Sequence, residues 1–342
     1  MHVEQWRRVA VVDIGYSSAR LGFAGEDPQV VDGLPGLLRY GGKALDFDSS
    51  AVQAVFRKLS AQDGCRRPLL LSEPATSAEK TRLRCLLAEL SFEALEAPEV
   101  STLSSALLAT LARGKSNGTV VDIGAGLTSI APLLNGCVEP ECLREQTFAG
   151  NALDIMVLDA LKSQGVTLSM PSRNLGQANT GMRLAQDIKE SICFCAYAPL
   201  ASLEKPKEYR HRLPDNQEIE VTAFSRQIPE ALLTGTVLRG ECFFGVPQLA
   251  SEAILTLPVG ASSAGSEVIL VGGSSRFVNF KDRLQVALAD YLDGRQVKVT
   301  QVDNRYASCL GASVAAQLKH PLVRWVTRSE YQEHGSHVFT RL

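Results

Sequence analysis

The chain has 342 residues, of which 45% are hydrophobic and 21% charged, and its formal net charge is −2. That much apolar content over that length supports two domains or one large bilobed domain and excludes global disorder. The near-neutral balance gives no basis for nonspecific attraction to nucleic acid or to an anionic membrane, and no apolar run reaches the roughly 20 residues a membrane-spanning helix needs.

The first eight residues, Met1 to Arg8, lack the apolar centre of a signal peptide. Eight cysteines are scattered without a C-x-x-C pair, and Cys193 and Cys195, two apart in a helical pattern, point away from each other. They read as reduced, mostly buried thiols of a cytosolic or nuclear protein. His334 and His337 lie in a polar C-terminal stretch and read as surface residues.

Val9 to Val12 is an apolar strand that ends in Asp13-Ile14-Gly15, and Arg20 to Gly25 alternates as a second strand. The pair predicts a hairpin turning at Gly15 to Ser18. Val52, Val55, Phe56 and Leu59 give helical spacing over 51–59, and Pro68 to Ser72 reads as a buried strand. Residues 77–90 predict an amphipathic helix with Leu83, Leu86, Leu87 and Leu90 on one face, capped by Thr76 or Ser77. Residues 101–113 are apolar nearly all round and predict a buried helix.

Val-Val-Asp-Ile-Gly, first seen at Val11 to Gly15, then recurs at Val120 to Gly124. Each copy enters a small-residue turn and a further apolar strand, the second being Leu127 to Leu134. The same residues in the same strand–turn–strand setting indicate duplicated lobes. Helical spacing covers 153–164 and 182–194. Leu213 to Asn216 is a turn before a strand over 218–222, and Gly260 to Gly265 is a small-residue loop. Val268 to Val271 is a third strand running into a glycine turn, Gly272-Gly273, and is followed by a helix over 279–292.

A strand ending in Asp-x-Gly sets a carboxylate beside exposed backbone N–H groups. Glycine permits close ligand approach, the N–H groups can cradle phosphate oxygens, and the carboxylate can hold a hydrated Mg²⁺. Two such turns facing each other would clamp a nucleotide's phosphates from both sides.

The order of these three turns resembles the sugar kinase, Hsp70 and actin superfamily. Leu21-Gly22-Phe23-Ala24-Gly25-Glu26-Asp27 narrows the resemblance to actin and actin-related proteins. Asp187 to Cys193, Leu213-Pro214-Asp215 and Trp325 to Tyr331 are similar to actin segments in the same order. The resemblance covers nearly the whole chain except 30–48.

It implies an α/β, actin-like bilobed ATPase fold with two duplicated lobes around a nucleotide cleft. Residues 1–112 and 307–342 would form the first lobe and 113–306 the second, with 149–241 as the outer subdomain of the second. It also implies ATP or ADP with Mg²⁺ as cofactors. Asp13 and Asp122 would face the metal through water, and Gly15, Tyr16, Ser17, Gly124, Gly126, Leu127 and Thr128 would form the phosphate turns. Arg20 stands where actin has a phosphate-contacting lysine. Lys189 and Glu190 would lie by the adenosine. Gly272, Gly273, Ser274 and Phe277 would border the base, and Arg305 matches a lysine near it.

Several positions depart from the family pattern. Tyr16 and Ser17 replace a small Ser-Gly pair, and the Tyr16 ring either occupies the γ-phosphate space or points outward. Ala125 replaces the second acidic residue of turn two. Ser105 stands where actins carry the glutamine that positions attacking water, and Ser129 where they carry a histidine that relays its proton. Each lost function is worth about 10²–10⁴ in rate. Only 30–48 spans the place of the small outer subdomain of the first lobe, so that subdomain, with its loop that inserts into the next filament subunit, is much reduced.

These features together predict a structural, non-polymerising subunit of a larger complex, axonemal or dynactin-like for example, that binds nucleotide for stability. Its partners would be proteins, among them actin or another actin-related protein, with no direct nucleic acid and no membrane. A cytoplasmic, cytoskeletal location is expected because no basic run is evident, and the nucleus is the alternative. Lys205, Lys207, Arg210, His211 and Arg212 read as a solvated hairpin face. The rival readings are an active polymerising ATPase, a nuclear subunit of a chromatin remodelling complex and, more distantly, a sugar-kinase-like phosphotransferase.

Overall fold

A computed structural model describes residues 8–31, 37–41, 44–62, 66–166, 177–203, 209–212, 216–302, 306–317 and 322–341. The chain begins with the expected hairpin, β1 (Ala10–Ile14) and β2 (Ala19–Phe23), followed by a short β3 (Gln29–Val31). β1 is buried on both faces because it lies inside its sheet, antiparallel to β2 on one side and parallel to a later strand on the other. Between β3 and the first helix, the described residues form one hairpin, β4 (Leu38–Gly41) and β5 (Ala44–Phe47). Leu38 and Leu45 sink that hairpin into the core of the first lobe.

Asp48 caps α1 (Ser49–Ala61), accepting from the N–H groups of Ser50 and Ala51 at 2.9 and 3.2 Å. The helix buries Val52, Val55, Phe56 and Leu59, the face its spacing predicts. β6 (Leu69–Glu73) and α2 (Thr81–Glu89) follow.

Two expectations shift here. Residues 77–80 stay outside the helix, where Glu79 bridges to Ala44 on β5 and its carbonyl accepts from the Leu45 N–H at 3.0 Å, so that acceptor is not free for a helical turn. Glu145 takes the Ser77 N–H at 2.5 Å, and Thr76 Oγ1 takes that of Ala78 at 3.1 Å. Residues 99–104 form a strand, β7 (Glu99–Ser104), and only Ser105–Leu111 is helical, as α3. An apolar segment without periodicity suits a buried strand as well as a buried helix. The edge of β6 accepts it in parallel register, Leu70 opposite Ser101.

The second lobe repeats the arrangement. β8 (Gly118–Ile123) and β9 (Thr128–Leu134) form its central hairpin, extended by β10 (Cys137–Val138) and β11 (Arg144–Gln146) on β9. Around them lie α4 (Gly150–Ser163), α5 (Gln177–Ile192), the hairpins β12 (Arg210–Arg212) with β13 (Glu218–Glu220) and β14 (Thr236–Leu238) with β15 (Glu241–Phe243), and the helices α6 (Phe224–Thr234) and α7 (Val246–Leu255). Of the expected turn at 213–216, residues 213–215 lie outside the described residues. The small-residue loop closes into a one-turn helix, α8 (Ser262–Gly265), before β16 (Glu267–Val271), α9 (Phe280–Tyr291) and β17 (Lys298–Gln301).

The first sheet runs β18-β7-β6-β1-β2-β3, where β18 (Val326–Thr327) precedes α11 (Arg328–His334). The second runs β10-β9-β8-β16-β17. β6 stands to β1 as β16 stands to β8, parallel in both cases. The third glycine-turn strand is thus the counterpart of β6, not of β1 or β8. Between the sheets, α3 and α10 (Ala307–Gln317) pack with residues from both lobes into one shared core that includes Val11, Leu70, Val120, Leu133 and Ile269. No described helix is long and apolar enough to cross a membrane. The seven described cysteines are free thiols, and burial pushes the Cys193 and Cys195 thiols up to about 12.

Candidate functional site

Sheet register brings the two aspartates together. Asp13 is the second-last residue of β1, opposite Arg20 on β2 and Ser72 on β6. Asp122 holds the same place in β8, opposite Ser129 on β9 and Val271 on β16. Both strands then enter the same turn: the Gly15 N–H donates to Ser18 O at 3.0 Å, and the Gly124 N–H to Leu127 O at 3.0 Å. The third turn lies against the second. Gly272 has φ +91°, and a Cβ there would fall 2.3 Å from Ile123 O and 2.5 Å from Asp122 Oδ1, so only glycine fits.

All three turns line one cleft of about 460 Å³ between the sheets. Asp13, Gly15, Tyr16, Ser17, Arg20, Ser105, Asp122, Gly124, Leu127, Ser129, Lys189, Glu190, Gly272, Gly273, Ser274 and Phe277 all contribute to its walls. Gly273 is open, with nothing within 4 Å of a Cβ built on it. Thr128 faces away: its fully buried hydroxyl donates to Phe148 O at 2.7 Å. Gly126 lies beneath the Tyr16 ring, whose Cδ1 would be 2.0 Å from a Cβ at that glycine. Arg305 lies outside the described residues.

The charges are unevenly balanced. Arg20 Nη1 donates to Asp13 Oδ2 at 3.0 Å across the hairpin, a cross-strand ion pair of opposite charges. The cost of burying the guanidinium opposes its charge, and the pull of Asp13 holds its pKa above the ordinary value. Among the described residues no such bridge reaches Asp122. Burial first and the Asp13 charge second push its carboxyl up to about 6, and Arg20 pulls against them. Burial, reinforced by Asp13, also holds the Cys309 thiol behind the hairpin well above its usual value.

The far wall is set by residues whose roles sequence reasoning missed. Asp154 is buried on the apolar face of α4 beside Leu153 and Val157. It pairs with Lys189 Nζ at 2.7 Å, and the same ammonium donates to Gly150 O at 3.1 Å. The start of α4 in turn clamps turn two, the Gly150 N–H donating to Gly124 O at 2.9 Å and the Asn151 N–H to Ala125 O at 2.7 Å. An acidic residue within an apolar helical stripe, one turn after a glycine, was the available signal. Glu145 on β11 is the second such residue. It bridges the lobes by accepting from Thr76 Oγ1 at 2.8 Å and from the Ser77 N–H at 2.5 Å. Nothing local in the sequence marks that contact.

Two observations fit a nucleotide with a divalent cation. Arg20 Nε is buried with no hydrogen-bond partner among the described residues, an orphan donor suited to an anion. Asp122, half-buried beside Asp13, carries the kind of carboxylate charge that a hydrated cation offsets. A third observation bears on the phosphates: the space over Gly126 is taken by an aromatic ring. Ser105 and Ser129 offer only neutral hydroxyls to the cleft, and Ser105 Oγ is within 3.3 Å of the Ala75 N–H, which donates to it.

The sequence profile of the family described as Actin matches residues 46–341. The chain is similar to actin-like protein 9 of Rattus norvegicus, with 28% identity over 83% of this chain and 67% of that protein. It is similar to actin-like protein 9 of Homo sapiens, with 26% identity over 97% of this chain and 87% of the relative. Actin-related protein 4 of Oryza sativa subsp. japonica shares 29% identity over 78% of this chain and 69% of its own length. With most of its length matched, and with the two-lobed sheet arrangement that the duplicated hairpins build, this chain belongs to the actin family.

Proposed function

We propose that the chain is a structural actin-related subunit of a larger protein assembly, stabilised by a bound adenine nucleotide with Mg²⁺ and nearly inert in hydrolysis. The observation that carries this reading is the pairing of a complete three-turn cleft with Ser105 and Ser129 at the positions expected to activate water. Asp13, Asp122 and Arg20 would hold the cation and phosphates, and the Gly272 turn and Phe277 would border the nucleoside. Bound nucleotide supplies linkage between the lobes by mass action, stabilising the folded state by about 2.7 kcal/mol at a hundred times its Kd. A serine hydroxyl, short and neutral, neither orients water as a glutamine amide does nor takes up a proton as an imidazole does.

The reduced outer subdomain supports a subunit that does not polymerise with itself. A filament needs both complementary faces on every copy, because heterologous contacts repeat without closing. Here the hairpin Leu38 to Phe47 stands where the insertion loop would project, and it is anchored to the core. The C-terminal region keeps its order: Thr327 and Glu330 form a reciprocal capping box at α11, and Phe92 stacks on Tyr331 at 4.6 Å. One intact face suits docking onto a protein partner, actin or another actin-related protein, in a cytoskeletal complex. A nuclear complex is the competing location.

Sedimentation and electron microscopy at high concentration with Mg-ATP, together with single-turnover phosphate release, test the reading. A protein that stays monomeric and releases phosphate far more slowly than a polymerising actin supports it. Long single-component filaments, or actin-like turnover, would overturn it.

A further inference from the structure

The two ends of the cleft differ in what they leave open. At the nucleoside end the Gly272 turn keeps close backbone contact with Ile123, Gly273 faces open space, and Phe277 lines the wall. At the phosphate end, Tyr16 from turn one lies across turn two. A Cβ built on Gly126 would fall 2.0, 2.6 and 2.7 Å from its Cδ1, Cγ and Cε1 atoms. The ring therefore rests directly on the bare backbone of Gly126. That glycine does not have the left-handed φ that would by itself favour glycine. What requires it is the room the ring takes.

The ring is held from its own side as well. It packs against the core of the first lobe, and its hydroxyl oxygen is out of solvent. It thus spans from the core of one lobe to the phosphate turn of the other. On the nucleotide-site reading, the terminal phosphate of a nucleoside triphosphate would sit between the two turns, where this ring presents an apolar face in place of a polar surround. Placing phosphate oxygens there would desolvate charge against carbon or expel a packed aromatic side chain. On the same reading, a shorter phosphate chain would stop short of the ring.

We propose that Tyr16 sets the length of phosphate chain the cleft accepts, so that the site selects a nucleoside diphosphate or monophosphate over the triphosphate. This rests on the nucleotide-site reading above and narrows it. The same selection makes hydrolytic residues unnecessary, because the preferred ligand carries no γ-phosphate to cleave.

The test is calorimetric titration of the full chain with ATP, ADP and AMP, each in excess Mg²⁺, for the wild type, Tyr16→Phe and Tyr16→Ser. The wild type is expected to bind ADP or AMP at least tenfold more tightly than ATP. Tyr16→Phe keeps the ring volume and is expected to keep the preference. Tyr16→Ser removes the ring and is expected to lose the preference through tighter ATP binding, with its far-ultraviolet circular dichroism and cooperative thermal unfolding reporting that the variant is folded. If Tyr16→Ser fails to fold, the wild-type preference and its persistence in Tyr16→Phe decide. Equal affinities, or tighter ATP, in the wild type would overturn the role of Tyr16 and leave the nucleotide site standing. Failure of the folded wild type to bind any of the three would overturn both.

Discussion

Replacing Asp154 by alanine is expected to destabilise the protein by about 3–5 kcal/mol, the range for leaving one buried partner of an ion pair uncompensated. The side chains of Lys189 and Asp154 are only 7% and 6% exposed, and the pair is closed at 2.7 Å. Without Asp154 the ammonium keeps one described acceptor, Gly150 O at 3.1 Å, on a side chain only 7% exposed at the edge of the cleft. The loss is large beside the roughly 5–15 kcal/mol that holds most domains folded. A double variant, Asp154→Leu with Lys189→Met, removes both charges and is expected to recover most of the loss, since an apolar pair of similar volume is often neutral or stabilising. Urea unfolding of the two single variants and the double variant measures this directly. Because Gly150 clamps Gly124 across 2.9 Å, the single variant should also weaken nucleotide binding. A loss under about 1 kcal/mol for Asp154→Ala would refute the claim that the pair is a desolvated strut behind turn two.

Gly311→Ala is expected to cost about 3 kcal/mol or more in thermal or urea unfolding, although alanine normally favours a helix interior. Its Cβ would fall 1.7 Å from Leu108 O, so α10 would be forced off α3 in the shared core. Glu145→Ala is expected to cost about 1 kcal/mol and to raise the rate of proteolysis at the Thr76–Lys80 loop, because two hydrogen bonds linking the lobes are lost. At pH 8 the exposed Cys137 and Cys242 should react readily with a thiol reagent. Cys193 and Cys195, buried and titrating near 12, should react only on unfolding. Fast modification of that pair in the folded protein would contradict their placement.

Local pattern carried much of the fold. The hairpins β1–β2 and β8–β9 follow from short β-branched runs broken by Asp-x-Gly turns. The buried face of α1 follows from its 3.6-residue spacing. Pattern failed where a segment had two acceptable states. Residues 99–104 became a strand because β6 had a free edge to offer, and 77–80 stayed out of a helix where the Glu79 backbone bridges to β5. The candidate site divides the same way. The residues within the turns could be named from the turns themselves, whereas Thr128 turned inward because Phe148 O lay within 2.7 Å of its hydroxyl.

The sequence by itself determined the duplicated Asp-x-Gly hairpins, the late glycine turn and the family they belong to, because turn chemistry and strand alternation act over a few residues. It also determined which side chains are absent: Ser105 and Ser129 bring neither amide nor imidazole in any conformation. Only the tertiary structure set where the Tyr16 ring lies, seating it on Gly126 of the other lobe's hairpin, more than a hundred residues away in the chain. It likewise chose Asp154 as the partner of Lys189 and Arg20 as that of Asp13. A buried charge must find a counterion, but which one it finds depends on packing between segments far apart in the chain.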